Sequence, residues 1–365
     1  MWSYLLTAIS FILILGILVF VHELGHFLMA RRAGMEVEEF GFGIPPRIKG
    51  WKKFGTLVSV NWIPIGGFVR VKGGETTVVT EKELNDKNNY HSKTLMERFL
   101  FVIMGVVFNF ILAVVLLTFG YMMGMTPLPG TSLYTDSLKD QYLQIEKVVP
   151  NSNADKAGIQ GGDIIVNIDN NKILDPQTFS NYVKENKDRA LAVTVLQENI
   201  ENTYYVQPDD KGLLGLYLGL VYKSDEVRLN PVSAFYYAFL NSCYISWQTF
   251  IGIFKTFSGL IMHFTVPSEV SGPIGIVSIT HQVVQVGFMS VIKFMAILSL
   301  SLAVLNIIPF PALDGGRLAF LVAEGVLRRR INAKIETYTH IIGFMLLIVL
   351  LVLVTYQDIL NLILK

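Results

Sequence analysis

The sequence predicts a polytopic α-helical membrane protein with about four transmembrane helices, a membrane-associated β-loop and an extracytoplasmic α/β domain. Three observations carry this expectation. Composition is the first: 365 residues are 52% hydrophobic and only 16% charged, and mean hydropathy is +0.48, values of a membrane-resident chain. Segmentation is the second: 4–27, 99–124, 286–308 and 339–357 are each apolar over the about 20 helical residues that a bilayer core requires. The third is the charge between them, since loops rich in Lys and Arg stay cytoplasmic.

The first span ends in Arg31 and Arg32 and lacks a small-residue cleavage site, so it reads as retained rather than as a signal peptide. Basic residues crowd the loop between spans one and two (Arg47, Lys49, Lys52, Lys53, Arg70, Lys72) and the loop between spans three and four (Arg317, Arg328, Arg329, Arg330). Both loops are therefore expected inside, and the termini and the 125–285 region outside. A formal net charge of +1 gives no basis for nucleic acid binding, and the single Cys243 excludes an internal disulfide or a cysteine-based zinc site.

Four parts are expected along the chain: spans one and two (1–125), an outer region (126–225), an interfacial amphipathic segment (226–284), and spans three and four (285–365). Within 37–74, residues 56–61 alternate as a strand, and Trp62-Ile63-Pro64-Ile65-Gly66-Gly67-Phe68-Val69 follows as an apolar turn. Backbone of that kind enters a membrane only where it lines a protein cavity, and there its free edge could pair with an extended peptide, making Gly66, Gly67 and Phe68 candidate substrate contacts. A small surface hairpin is the other reading. Polar residues, among them Asn241, Ser242, Gln248 and Lys255, interrupt the apolar run after Ala234. A helix lying at the outer interface suits that run better than a fifth span, which would put the Arg-rich last loop outside.

Inside span one, His22, Glu23 and His26 form H-E-x-x-H in a stretch, 5–30, that has no Asp, Lys or Arg. Ionisable groups at that depth cost several kcal/mol unless paired, hydrated or metal-bound. On a helix, residues i and i+4 share a face, so His22 and His26 can bind one Zn²⁺ while Glu23 acts on water as general base. A catalytic zinc needs a third ligand. Asp314 is the candidate: His22 lies roughly 13 Å of helix before Arg31, and Asp314 comes just before Arg317 on the same expected side. The competing role for Asp314 is a helix-terminal turn with Gly315 and Gly316. Asn109 and Asn306 come to a similar depth in spans two and three, where they could hydrogen-bond substrate backbone or a developing oxyanion, or simply pack helices together. His91, His263, His281 and His340 lack ligand spacing and read as surface or interfacial residues.

Two resemblances follow. Ala154-Asp155-Lys156-Ala157-Gly158-Ile159-Gln160-Gly161-Gly162-Asp163-Ile164-Ile165 resembles the PDZ domains of bacterial proteases, over about 141–207. Over nearly its whole length the chain resembles the intramembrane site-2 proteases of the bacterial regulator-of-sigma-E protease type. The matching features are His22-Glu23-Leu24-Gly25-His26, Pro64-Ile65-Gly66-Gly67-Phe68-Val69, 105–109, Ser271-Gly272-Pro273-Ile274-Gly275-Ile276, and Leu305-Asn306 through Asp314-Gly315-Gly316. Val106 departs from the proline that many members carry there, and only one PDZ module is evident. The resemblance implies zinc on His22, His26 and Asp314 with Glu23 as general base, in a multi-pass protein of the bacterial inner membrane. It implies hydrolysis within a single-pass transmembrane substrate, of anti-sigma-factor or signal-peptide-remnant type, already shortened by an upstream site-1 protease. The rivals are a membrane protease with a glutamate as third ligand and a cytosolic catalytic domain, and a non-catalytic PDZ-bearing scaffold or metal-binding protein.

Overall fold

The computed structural model describes residues 2–74, 84–136, 138–173, 175–197, 200–263 and 272–363. The chain divides into two compact units, one formed by 1–125 with 228–365 and the other by 126–227.

The first unit is built on helices. Four of them are long and apolar enough to cross a membrane: Leu5–Arg32, Leu95–Met123, Phe288–Ile307 and Lys334–Leu360. They fall on the four segments expected from hydropathy. Helix α1 (Trp2–Arg32) is followed by two long strands, β1 (Val37–Lys53) and β2 (Thr56–Val71), joined at Phe54 and Gly55, both at positive φ. The strands bend, so residue Phe40 faces both Val58 and Val69, and 67–71 forms an outer lane beside 37–42. Among the described residues that lane's other edge pairs with no strand.

Helix α2 (Leu95–Met123) opens on a capping box: Thr94 Oγ1 accepts from Glu97 N–H and Glu97 Oε2 accepts from Thr94 N–H. It runs unbroken through Val106, the position at which many members carry proline. α1 and α2 cross closely because both present glycine at the crossing. A Cβ on Gly25 would stand 2.4 Å from Met104 O.

In the second unit come α3 (Ser132–Asp136), β3 (Leu138–Val148), α4 (Asn153–Ala157), β4 (Ile164–Ile168), α5 (Pro176–Glu185), β5 (Leu191–Gln197), β6 (Ile200–Val206) and β7 (Leu216–Ser224). The antiparallel sheet has the order β6-β5-β4-β3-β7. Its inward residues, among them Leu143, Ile145, Ile165, Ile168, Val193 and Val195, are fully or almost fully buried against α4 and α5. Ser152 caps α4 and Gly158 ends it in the left-handed region (φ 94). Asp175 caps α5 with Pro176 in its first turn. An open cavity of about 370 Å³ lies between α5, the loop 212–215 and edge strand β7.

In the first unit, residues 228–286 hold two helices, α6 (Pro231–His263) and α7 (Pro273–Val286), with 264–271, including Ser271 of the glycine-proline motif, outside the described residues. α6 packs against α2 and the third span; toward α2, Asn241 donates to Tyr121 Oη and Phe239 meets Phe110 edge-on. The rest of that motif has a structural reason. Gly272 N–H and Gly275 N–H, at the start of α7, donate to Asp358, and a Cβ on Gly272 would meet that carboxylate at 2.8 Å. Helices α8 (Phe288–Ile307), α9 (Asp314–Leu327) and α10 (Ala333–Ile363), the last of which carries Asp358, complete the unit. Arg98 and Glu324, both buried, pair at 2.7 Å and fasten α9 to the start of α2.

Candidate metal centre and active site

Helix α1 places His22 and His26 one turn apart on the face toward α2, and the start of α9 brings Asp314 against them. His22 Nε2 lies 3.0 Å and His26 Nε2 3.2 Å from Asp314 Oδ2, and the two imidazole nitrogens are 3.2 Å apart. Among the described residues this is the group of His, Cys, Asp and Glu whose donor atoms could hold a metal ion. The fit can be tested by size. A tetrahedral zinc with bonds of about 2.0–2.1 Å sets its ligands roughly 3.3 Å apart, close to the observed triangle.

The surroundings leave the three donor atoms free to act together. His26 Nδ1–H donates to Phe101 O at 2.8 Å, which leaves Nε2 as the lone-pair nitrogen. His22 Nδ1 faces the Asn109 side chain at 3.4 Å. Asn109 is wholly buried, and among the described residues its Oδ1 has no hydrogen-bond partner. Turning that amide over would set Oδ1 against Nδ1–H, the tautomer that a metal on Nε2 demands, so the orphaned oxygen agrees with a metal-bound His22. Gly105 makes room for both rings: a Cβ there would lie 2.4 Å from His26 Nε2 and 2.7 Å from Cε1 of either histidine.

Glu23 is half-buried beside the cluster, and Gly67 of β2 approaches its Cγ so closely that a Cβ would stand 3.1 Å away. A cavity of about 370 Å³ opens over His22, Glu23, His26 and Asp314, walled by the β2 lane 67–71 and by Arg317. A second, of about 500 Å³, lies between the start of α9 and α10 and shares Gly74, Ala312, Asp314 and Arg317 with the first. The ligand cluster thus has space on two sides.

The structure brings His22, Glu23, His26, Asp314, Asn109, Gly67 and Phe68 to one place. Gly66 is not at the cavity; at φ 97 it forms the bend into the outer lane, packed toward Ile44. Asn306 lies partly exposed on α8, and among the described hydrogen bonds none joins its side chain to the cluster. His340 corrects the surface reading: its Nδ1 accepts from Ala312 N–H at 2.9 Å and its Nε2 is buried. His281 is tied to Thr7 at 2.7 Å, and the side chain of His263 lies outside the described residues. Gly105 enters the sequence reading only as the first residue of the matching 105–109 string, and the carbonyl of Phe101 not at all, since what matters for both is the close approach of a second helix.

Residues 10–350 match peptidase family M50. The zinc metalloprotease RasP of Bacillus licheniformis is 28% identical over 97% of this chain and 98% of its own. That of Oceanobacillus iheyensis is 27% identical, again over 97% and 98%. A candidate zinc metalloprotease of Clostridium perfringens is 32% identical over 94% of this chain and 95% of its own.

Proposed function

The chain belongs to peptidase family M50 and is a membrane zinc metalloprotease of site-2 type, and from that premise we propose that His22, His26 and Asp314 hold the zinc while Glu23 is the general base. The observation that carries the assignment is the triangle of Nε2, Nε2 and Oδ2 atoms at 3.0–3.2 Å, formed between residues 292 positions apart in sequence.

Zinc bound there supplies Lewis acidity toward a scissile carbonyl and an attacking water. The rest falls to the chain's own groups. Glu23 takes the proton of the attacking water and passes it to the amine nitrogen that leaves as the C–N bond breaks. Phe101 O and Asn109 fix the two imidazoles with their Nε2 lone pairs toward Asp314. The free edge of 67–71 suits a substrate in extended form, which would add a strand within reach of Glu23. A helical segment must unwind first, because its peptide groups are otherwise hydrogen-bonded within the helix.

In this reading the substrate is the transmembrane segment of a single-pass protein, already shortened by another protease. The basic residues beside α1 and α9 support a reading with the zinc site toward the cytoplasm in the inner membrane of a bacterium and 126–227 on the outer side. That unit is read as a PDZ domain, whose groove is the cavity between α5 and edge strand β7.

The test is cleavage of a single-span substrate by the purified protein in detergent. Glu23→Gln should abolish turnover with zinc still bound, and a chelator should stop the wild type until zinc is returned. Turnover at the wild-type rate by Glu23→Gln would sink the assignment of the base.

A further inference from the structure

Helix α10 supplies none of the three donor atoms, yet one face of it holds the loop that presents Asp314. His340 Nδ1 accepts from Ala312 N–H at 2.9 Å. Gly343, three residues on and on the same face, sits so close that a Cβ would lie 2.3 Å from Pro311 Cβ and 2.6 Å from Pro311 O. The loop needs holding. Ala312 has φ 77, a left-handed conformation that costs a residue with a Cβ roughly 1–2 kcal/mol, and Asp314 follows two residues later as the first residue of α9. The loop's own bonds, Leu313 N–H to Phe310 O at 3.2 Å and Gly316 N–H to Leu313 O at 3.1 Å, fix its turn but not its distance from α1.

The histidine itself is not placed there for its own comfort. Accepting at Nδ1 puts the ring proton on Nε2, which is buried and has no hydrogen-bond partner among the described residues. A buried donor left unpaired costs about 1–3 kcal/mol, so an apolar side chain would serve packing better. What the imidazole offers here is an acceptor for one strained backbone amide.

We propose that His340 is a positioning residue for the metal site: with Gly343 it braces Ala312 in its left-handed conformation and thereby sets Asp314 Oδ2 at 3.0–3.2 Å from both histidines. This rests on the assignment of Asp314 as a ligand, and the experiment separates the two. Zinc affinity is measured on the full-length protein in detergent by competition with a chromophoric chelator, and the ligand field by the visible spectrum of the Co²⁺-substituted protein. Asp314→Ala is the control for the ligand. His340→Ala should weaken zinc binding by about 10- to 100-fold, the usual effect of losing a group that orients a ligand, and should alter the Co²⁺ spectrum. His340→Asn, whose side-chain oxygen can accept from Ala312 N–H in place of Nδ1, should restore both, and KM for substrate should stay unchanged in zinc-saturated protein. Wild-type affinity and spectrum in folded His340→Ala, with Asp314→Ala weakened, would overturn the proposal and leave the ligand assignment standing. Wild-type binding by Asp314→Ala would overturn the ligand assignment itself. If His340→Ala does not fold, Gly343→Ala, which must push Pro311 away, is judged by the same two readouts.

Discussion

Gly105→Ala should disable the metal centre through a single methyl group. The added Cβ would stand 2.4 Å from His26 Nε2 and 2.7 Å from His22 Cε1, where ordinary contacts begin at 3.4 Å, so rings or helix must give by up to 1.0 Å. The rings have little freedom: His26 is held at Nδ1 by Phe101 O, and His22 faces Asn109. The helices have little either, since Gly25 already brings α1 against Met104 O. Zinc sites tolerate about 0.2 Å in ligand distance, and a misplacement of about 1 Å costs on the order of 100-fold in rate. Near 1.36 kcal/mol per decade, that is about 2.7 kcal/mol. The assay is zinc content per chain together with kcat on a single-span substrate, with thermal unfolding as the check on folding. Gly105→Ala protein with full zinc, kcat within twofold of wild type and unchanged Tm would refute the reasoning, because it would show that the crossing yields without cost.

Arg98→Met should lose about 3–5 kcal/mol by leaving the Glu324 carboxylate buried and unpaired, whereas Arg98→Met with Glu324→Leu should recover most of it. Thermal unfolding in detergent decides, and equal losses in both variants would show that packing rather than charge is at stake. In the 126–227 unit, burial alone would raise the Asp169 pKa, but the Ala192 amide, Arg189 and Tyr182 Oη outweigh it and hold the carboxyl below its ordinary value. A depressed carboxyl binds fewer protons folded than unfolded, so its stabilisation is present above the unfolded pKa of about 3.9 and is lost as pH falls through the lower folded value. Asp169→Ala should cost about 1–3 kcal/mol locally through the lost acceptor of Ala192 N–H, the half-exposed Arg189 adding little. Hydrogen exchange at Ala192 reads this directly, and protection unchanged by the substitution at neutral pH would exclude it.

Much of this protein is determined by local pattern. Apolar runs of bilayer length state the four spans, because the surface a helix turns to hydrocarbon must be apolar over about 20 residues. Three ionisable residues at helical spacing inside one such run state a metal site, and 56–61 states a strand through its alternation. The caps of α2, α4 and α5 are equally local, each being a side chain that answers a backbone donor three residues away. Packing decided the rest. Asn109 and Asn306 are alike by depth, yet among the described hydrogen bonds only Asn109 reaches the cluster, at His22, since depth along a helix says nothing of its rotation. Gly66 and Gly67 are neighbours, yet only the second touches Glu23, because the strand bends between them. Gly105 matters for what another helix puts beside it, and His340 for a strained amide 28 residues away. Sequence states which groups a membrane would expel unless they were used; which of them meet depends on helix rotation and close approach, and these are set only when the whole unit packs.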